Sequence, residues 1–238
     1  MKKSAQLLSL LAVLAGFSTI AAAEGVFVGG ALDAQSSKIK ANDCDPDDDC
    51  SLSGGRMGLG LKAGYDFGQF RVYGQYQYNL KAKESGTDTY STLHGMGLIS
   101  YENPWEVNWR SHNLTVGADY TPSFTENFKG LLGGYMGYSR LKVQSKDRNI
   151  IYDSRYGYID KGEDTYNLNG GNGFIYGLRL GGIYSFNEHN ELEFGVKAEQ
   201  SRHKFDDEDG SFKLKHNNYG AFVGYECCVG KGYFSFSS

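Results

Sequence analysis

The sequence predicts an all-β fold, an eight-stranded antiparallel up-and-down transmembrane β-barrel with short periplasmic turns and long extracellular loops. Three observations predict it. Apolar and polar residues alternate with period two over eight separate segments. Short and long connections alternate between those segments, so the two ends of the meander face different compartments. The composition carries 33 Gly, 18 Tyr and 14 Phe against only 3 Pro, which suits strands and disfavours disorder.

Residues 1–23 read as a secretory leader. Lys2 and Lys3 form a basic start, Leu7 to Ile20 a short apolar run, and Ala21 and Ala23 an A-x-A-like cleavage site before Glu24. The apolar run is short for a span of about 20 residues. Removing the leader takes the formal net charge from −4 to about −6, and a mildly acidic exported chain is a poor nucleic-acid binder. No later segment approaches ~18 consecutive apolar residues, the length expected of a membrane helix.

Residues 24–226 carry the strands. The first, about 25–36, sets Val26, Val28, Leu32 and Ala34 against Gly29, Asp33 and Gln35. The second, 57–67, sets Met57, Leu59, Leu61, Ala63, Tyr65 and Phe67 against Lys62 and Asp66, with Gly58, Gly60 and Gly64 on the polar side. In the third, 71–81, Val72, Gly74, Tyr76, Tyr78 and Leu80 oppose Arg71, Tyr73, Gln75, Gln77, Asn79 and Lys81. The fourth, 110–121, sets Leu114, Val116, Ala118 and Tyr120 against Asn113, Thr115 and Asp119. The fifth, FKGLLGGYMGYSRLKV (128–143), is apolar at both parities, so its faces are unassigned. In the sixth, 174–186, Phe174, Tyr176, Leu178, Leu180, Tyr184 and Phe186 oppose Arg179. The seventh, 191–200, sets Leu192, Phe194, Val196 and Ala198 against Glu191, Glu193, Lys197 and Glu199. The eighth, 214–226, sets Tyr219, Ala221, Val223 and Tyr225 against Gly220, Phe222 and Gly224.

The connections near 66–69, 121–127 and 186–190 are short, and those at about 37–55, 84–108, 144–172 and 203–213 are long. Aromatics close the aliphatic faces beside the short turns, where a periplasmic girdle belongs. The opposite faces then line a narrow interior that side chains fill. An interior charge network is expected from Lys62, Arg71, Asp119, Arg179, Glu191, Glu193, Lys197 and Glu199, because unpaired buried charges are costly. The competing soluble reading is a lipocalin-type barrel with apolar residues inward. Aromatic strand ends, alternating connection lengths and Gly-rich polar faces favour the membrane.

These features, with segments such as GLGLKAGYDF, GLLGGYMGYSRLK and YGAFVGYEC, resemble the small outer-membrane barrel families: the OmpA transmembrane domain, the OmpX/Ail group and the opacity-type proteins. The resemblance spans nearly all of residues 24–226 and is specific for architecture rather than function. It implies a bacterial outer-membrane location and contact with outer-membrane lipid and lipopolysaccharide. No periplasmic domain is expected after the barrel, so peptidoglycan attachment is not implied. It also implies assembly by the barrel-assembly machinery through a terminal Tyr-x-Phe. Here Tyr225-Glu226-Cys227 stands in its place, and residues 227–238 form a strand extension or tail, with Phe236 a displaced terminal aromatic in the first case.

Candidate chemistry is sparse. The five His residues show no metal-ligand spacing, and Ser111 beside His112 is the weak basis for a lipid A-modifying enzyme. The stretch NDCDPDDDC (42–50) places Asp43, Asp45, Asp47 and Asp49 in a D-x-D-x-D-x-D pattern. The glycine and glutamate of a calcium loop are missing from it, so weak divalent-cation binding is one reading. The other is a solvated acidic tip stapled by a Cys44–Cys50 disulfide, as exported cysteines at this spacing suggest. Cys227 and Cys228 are either free or paired with another chain. The sequence implies no cofactor. The functional expectation is a non-enzymatic barrel with a structural or surface-recognition role, toward a host surface or other ligand, exerted through its long loops. The alternatives are a small porin-like channel and the lipid A-modifying enzyme.

Overall fold

The computed structural model describes residues 25–41, 51–94, 97–154, 157–187, 189–207 and 210–229. Eight antiparallel strands close into one barrel in sequence order. They are β1 (Gly25–Ala41), β2 (Ser51–Asp66), β3 (Phe70–His94), β4 (Gly97–Tyr120), β5 (Phe128–Asp153), β6 (Gly157–Asn187), β7 (Asn190–Asp207) and β8 (Gly210–Val229). Pairing of β1 with β8 closes the ring, with Val26 opposite Val229 and Ala41 opposite Leu214. Closure leaves no free sheet edge along the paired part of the wall, as a bilayer demands.

The wall is inside out relative to a soluble protein. Leu61, Leu178, Val196, Leu132 and Met57 are all more than half exposed, while Arg71, Asp119 and Glu193 are almost wholly buried. Below the aliphatic band, aromatics pack as neighbours: Tyr65 on Phe67, Phe70 on Tyr120, and Tyr184 on Phe186, with ring centroids 4.7, 5.2 and 5.3 Å apart. Above the band, Tyr76 and Tyr78 flank His112, and Phe174 sits beside Tyr176. From Tyr176 to Phe186 the strand rises about 33 Å, or about 25 Å at an ordinary barrel tilt. That is the height of a lipid-facing band.

The periplasmic turns are tight. Gly68 carries a φ of 90°, a left-handed conformation suited to glycine, and its amide donates to Asp66 Oδ1 at 2.7 Å. The four long connections are different in kind: most of each is strand. The β3–β4 hairpin stays paired as far as His94 opposite Gly97, and β5–β6 as far as Asp153 opposite Gly157. Because β4 also pairs with β5 up to Ile99 opposite Asp153, strands β3 to β6 project as one four-stranded sheet. Tyr78 to His94 alone represents about 50 Å of strand. Both faces of this sheet meet water, so the polar-apolar alternation fades there while the pairing persists. At the base of the projection β2 and β3 part above Gly58–Asn79, leaving an outward hollow of about 620 Å³ beside Met57, Leu80 and Lys81.

Two further details refine the sequence reading. A bulge between Asn79 and Ala82 shifts the parity of β3, so Ala82 points inward and Lys81, expected on the inner face, points out. Strand β8 continues through Cys227 and Cys228, paired with Val28 and Phe27 of β1, so these thiols extend the last strand.

Glycine makes room where the inner charges are longest. A Cβ on Gly133 would strike the Asp119 carboxylate, whereas Gly74 faces open space. In equilibrium unfolding from lipid, Gly133→Val is expected to lose about 1–3 kcal/mol, the usual penalty of overpacking. Gly74→Ala is expected to stay within about 0.5 kcal/mol of wild type.

Candidate functional site: the barrel interior

The interior is layered. At the periplasmic end Arg71 is completely buried and gathers three carboxylates: Asp66 and Glu226, each at 2.9 Å, and Glu191. Lys129 lies 3.5 Å from both Asp66 and Glu191. One layer up, Lys62 joins Glu193 at 2.6 Å and also pairs with Glu226. Arg179 bridges Glu193 at 2.8 Å and Asp119, to which its Nε donates at 2.8 Å. The guanidinium of Arg179 also lies 4.6 Å from the Tyr73 ring centre, and Lys62 lies over the rings of Phe27 and Tyr73, contacts that favour a cation.

The next layer joins Lys197 to Asp33 at 3.2 Å and to the Gln77 carbonyl at 3.1 Å. Above it Arg56 donates to Glu199 at 3.1 Å, to Gln35 at 2.9 Å and to Ser111 at 3.1 Å. Tyr135 and Asn218 also donate to Glu199, at 2.8 and 3.0 Å. Cations and carboxylates therefore alternate up the axis, as low-dielectric surroundings require.

The eight side chains expected inside are buried, and ion pairs join them in two groups: Lys62, Arg71, Asp119, Arg179, Glu191 and Glu193 in the lower layers, and Lys197 with Glu199 above them. Sequence reasoning omitted Asp33, Arg56, Asp66, Lys129 and Glu226. The signal was present for Asp33 and Asp66, which already lay on the polar parity of their strands. Arg56 shares the parity of Lys62 but precedes the segment assigned to β2, and Lys129 sits in the strand whose faces were unassigned.

Above the charges the character changes. His216 Nε2 and Ser37 Oγ lie 2.8 Å apart, Trp109 Nε1 donates to Ser37 at 2.9 Å, and His203 Nε2 lies 3.0 Å from Ser139 Oγ. An apolar cap closes this layer: Ile39, Ala82, Trp109, Leu141, Phe205 and Leu214, all buried and packed together. The sequence offered no hint of it, because inward apolar residues interrupt the polar face the pattern was read for.

The suspected Ser111–His112 pair is no dyad. Adjacent residues on a strand point to opposite faces, so Ser111 is buried beside Asn79, which donates to it at 3.0 Å. His112 is on the outer face, 2.8 Å from the Tyr76 hydroxyl through Nδ1. The proposed cation ligands Asp43, Asp45, Asp47 and Asp49, and the pair Cys44 and Cys50, lie outside the described residues. Among the described residues no group of three or more His, Cys, Asp or Glu is arranged to hold a metal ion, and Cys227 and Cys228 are free thiols.

A closed eight-stranded wall, apolar toward lipid and filled by ion pairs within, defines a small outer-membrane β-barrel. The chain belongs to the family described as outer membrane protein beta-barrel domain, whose model matches residues 9–226; the protein resides in the bacterial outer membrane. Among solved structures it is similar to Neisserial surface protein A, at 14% identity, covering 86% of this chain and 99% of that one, with a TM-score of 0.44. It is also similar to Ail, the attachment invasion locus protein of Yersinia pestis, at 13% identity, covering 85% and 98%, TM-score 0.42. A third is the outer membrane protease OmpT from Escherichia coli, at 11% identity, covering 86% and 97%, TM-score 0.39. No curated protein matches the sequence. At these identities and scores the likenesses carry no functional weight.

Truncating Arg71 leaves three carboxylates clustered without their common cation. Arg71→Met is expected to cost about 3–5 kcal/mol, the usual penalty for stranding buried charge, read as an earlier midpoint in urea unfolding of the lipid-embedded protein. Arg110→Met, on the exposed outer face, serves as control and should change stability by less than about 0.5 kcal/mol.

Proposed function

We propose that this barrel is a non-enzymatic surface-recognition protein, whose binding element is the sheet projecting from β3 to β6. The observation that carries this reading is the far end of that sheet. Leu93 and Leu98 are exposed and directly opposed across the β3–β4 hairpin. Close by, Tyr90 and Tyr101 stack with ring centroids 4.7 Å apart and planes at 10°. Apolar side chains held in water on a paired hairpin favour a contact surface.

The flank of the sheet adds charge and shape. A hollow of about 350 Å³ there is lined by Lys83, Trp105, Glu106, Lys146 and Arg148, among others. The Asn108 amide, followed by the Lys83 ammonium 2.7 Å away, holds the Glu106 carboxyl down to about 2. Because its pKa is lowered in the folded protein, this ion pair is intact above the usual carboxylate range and is lost only as pH falls through about 2. An NMR titration of the Glu106 carboxyl carbon should therefore show a flat line between pH 7 and 4.

The interior supports the non-enzymatic, non-conducting side of the reading. Ion pairs occupy the lower lumen and the Trp109 cap the upper, leaving the chemistry of the molecule on its outside. Planar bilayers loaded with the refolded protein are expected to show no stable conductance steps; reproducible ion-selective openings would favour the channel instead.

Recognition itself is tested with cells expressing wild type or a Tyr90→Ser, Leu93→Ser, Leu98→Ser variant, scored for adherence to cultured epithelial cells. The variant should keep heat-modifiable migration, because its changes lie beyond the membrane band. Its adherence is expected to fall to that of cells lacking the protein, and adherence equal to wild type would sink the assignment of this sheet.

A further inference from the structure

An opening interrupts the wall between β2 and β3. The two strands are paired from Asp66 opposite Arg71 up to Gly58 opposite Asn79. There the bulge of β3 leaves Leu80 and Lys81 both exposed on the outer face, and Gly55, Arg56 and Met57 have no ladder partner on that side. Higher up the strands approach again. A Cβ on Gly54 would lie 3.1 Å from the Lys83 carbonyl oxygen, and the Ser53 amide donates to Glu84 at 2.6 Å. The gap is therefore a window framed above and below. The hollow of about 620 Å³ is its outer mouth, flanked by Met57 and Leu80, and Gln35 and Arg56 lie at its floor. It begins just above Tyr78, where the lipid-facing band ends.

The floor carries a spare donor and a spare acceptor. Arg56 donates twice to Gln35 Oε1, at 3.1 and 2.9 Å, which fixes that oxygen toward the guanidinium and leaves Nε2 to face elsewhere. Gln35 is only 5% exposed, and its Nε2 has no hydrogen-bond partner. Asp33, the next inward residue of β1, is 4% exposed. Its Oδ2 accepts from Gln77 at 2.7 Å and from Lys197 at 3.2 Å, and its Oδ1 has no partner. Both Asp33 oxygens lie at the lower edge of the window, 2.7 Å from where a Cβ on Gly58 would stand. A polar atom buried without a partner is costly, and here one of each kind lies behind an apolar mouth.

We infer that this window binds a single-chain aliphatic alcohol. Its hydroxyl accepts from Gln35 Nε2 and donates to Asp33 Oδ1, while its alkyl chain lies against Met57 and Leu80. A hydroxyl donates and accepts at one atom, which suits a spare donor beside a spare acceptor. A carboxylate head would satisfy Gln35 and meet Asp33 as a like charge. Arg56 offers it no compensation, because its guanidinium is already engaged by Gln35, Ser111 and Glu199. An ammonium head would leave Gln35 unused and stand beside Arg56 and Lys81. The site lies at the base of the projecting sheet and does not depend on the recognition role.

The test uses the refolded protein in phosphatidylcholine nanodiscs and an octanol that carries a diazirine on its chain. The matching diazirine octane and diazirine octanoic acid are the comparators, and the labelled residues are read by peptide mass spectrometry after irradiation. The alcohol is expected to label Met57, Leu80 and Lys81 saturably, and excess plain octanol should remove that label. The octane should label the lipid-facing wall evenly, and the acid should favour the window no more than the octane does. Gln35→Glu keeps the oxygen that Arg56 holds and removes the spare donor. This variant should migrate as a folded barrel and bind the alcohol about ten-fold more weakly, the usual loss of one buried hydrogen bond. Label at the window that does not saturate, or that is no denser than at Leu132 and Leu178, overturns the inference. Equal labelling of the window by the acid overturns the choice of an uncharged ligand, and undiminished labelling of the folded variant overturns the role of Gln35. Should the variant fail to fold, the comparison of alcohol, octane and acid on the wild-type protein decides alone.

Discussion

Everything in this barrel depends on the need to match charge inside a wall that faces hydrocarbon. Arg71 has no water to turn to, and its three carboxylates come from β2, β7 and β8. Those strands must therefore sit at one height relative to β3. A slip of one residue in any of them would turn its charges out toward lipid, at about 2–4 kcal/mol for each cation placed near the midplane. The ion pairs need not add much net stability. Their effect is to make every other register far worse. The glycines follow from the same constraint: Gly133 exists because Asp119 must reach across to Arg179.

The vertical order of the interior has its own logic. Full ion pairs fill the section that passes through the membrane, where a half-satisfied group would be most costly. Higher up, the layer of Ser37, Ser139, His203 and His216 uses neutral hydrogen bonds. Above it the Trp109 cluster excludes water from the outer end, and a dry cap keeps the interactions beneath it strong. A lumen filled in this way is a structural core. The parts of the molecule free to act on other molecules are then the outer wall and the projecting sheet.

How far the sequence revealed this varied with the environment of each segment. Where one face met lipid and the other met charge, alternation was unambiguous, as in ELEFGVKAEQ, and the inner positions of Glu191, Glu193, Lys197 and Glu199 could be read directly. It failed where the inner face was itself apolar. Leu131 packs inside with Ile183 and Phe222, so β5 carried leucines at both parities and its faces could not be told apart. It failed again at the bulge after Asn79, where one extra residue inverts the parity and no local composition announces it. The projecting sheet was read as loop for a third reason. With water on both faces, TDTYSTLH has no cause to alternate, although its Thr and Tyr are good strand formers. The acidic stretch from Asp43 to Asp49, the most conspicuous feature of the sequence, lies outside the described residues, and its two readings stay as they stood.

The outer wall obeys a rule complementary to the interior. Inside, charge is tolerated because each sign finds the other within the protein. Outside, the strands carry charge of one sign at one level, and Arg202, Lys215 and Lys40 stand side by side with no acid between them. A folded protein in water would gain from placing a glutamate in such a row, since opposed ion pairs support a sheet. The opposed cations of this collar therefore subtract from the stability of the sheet, whereas the paired charges of the interior fix its register.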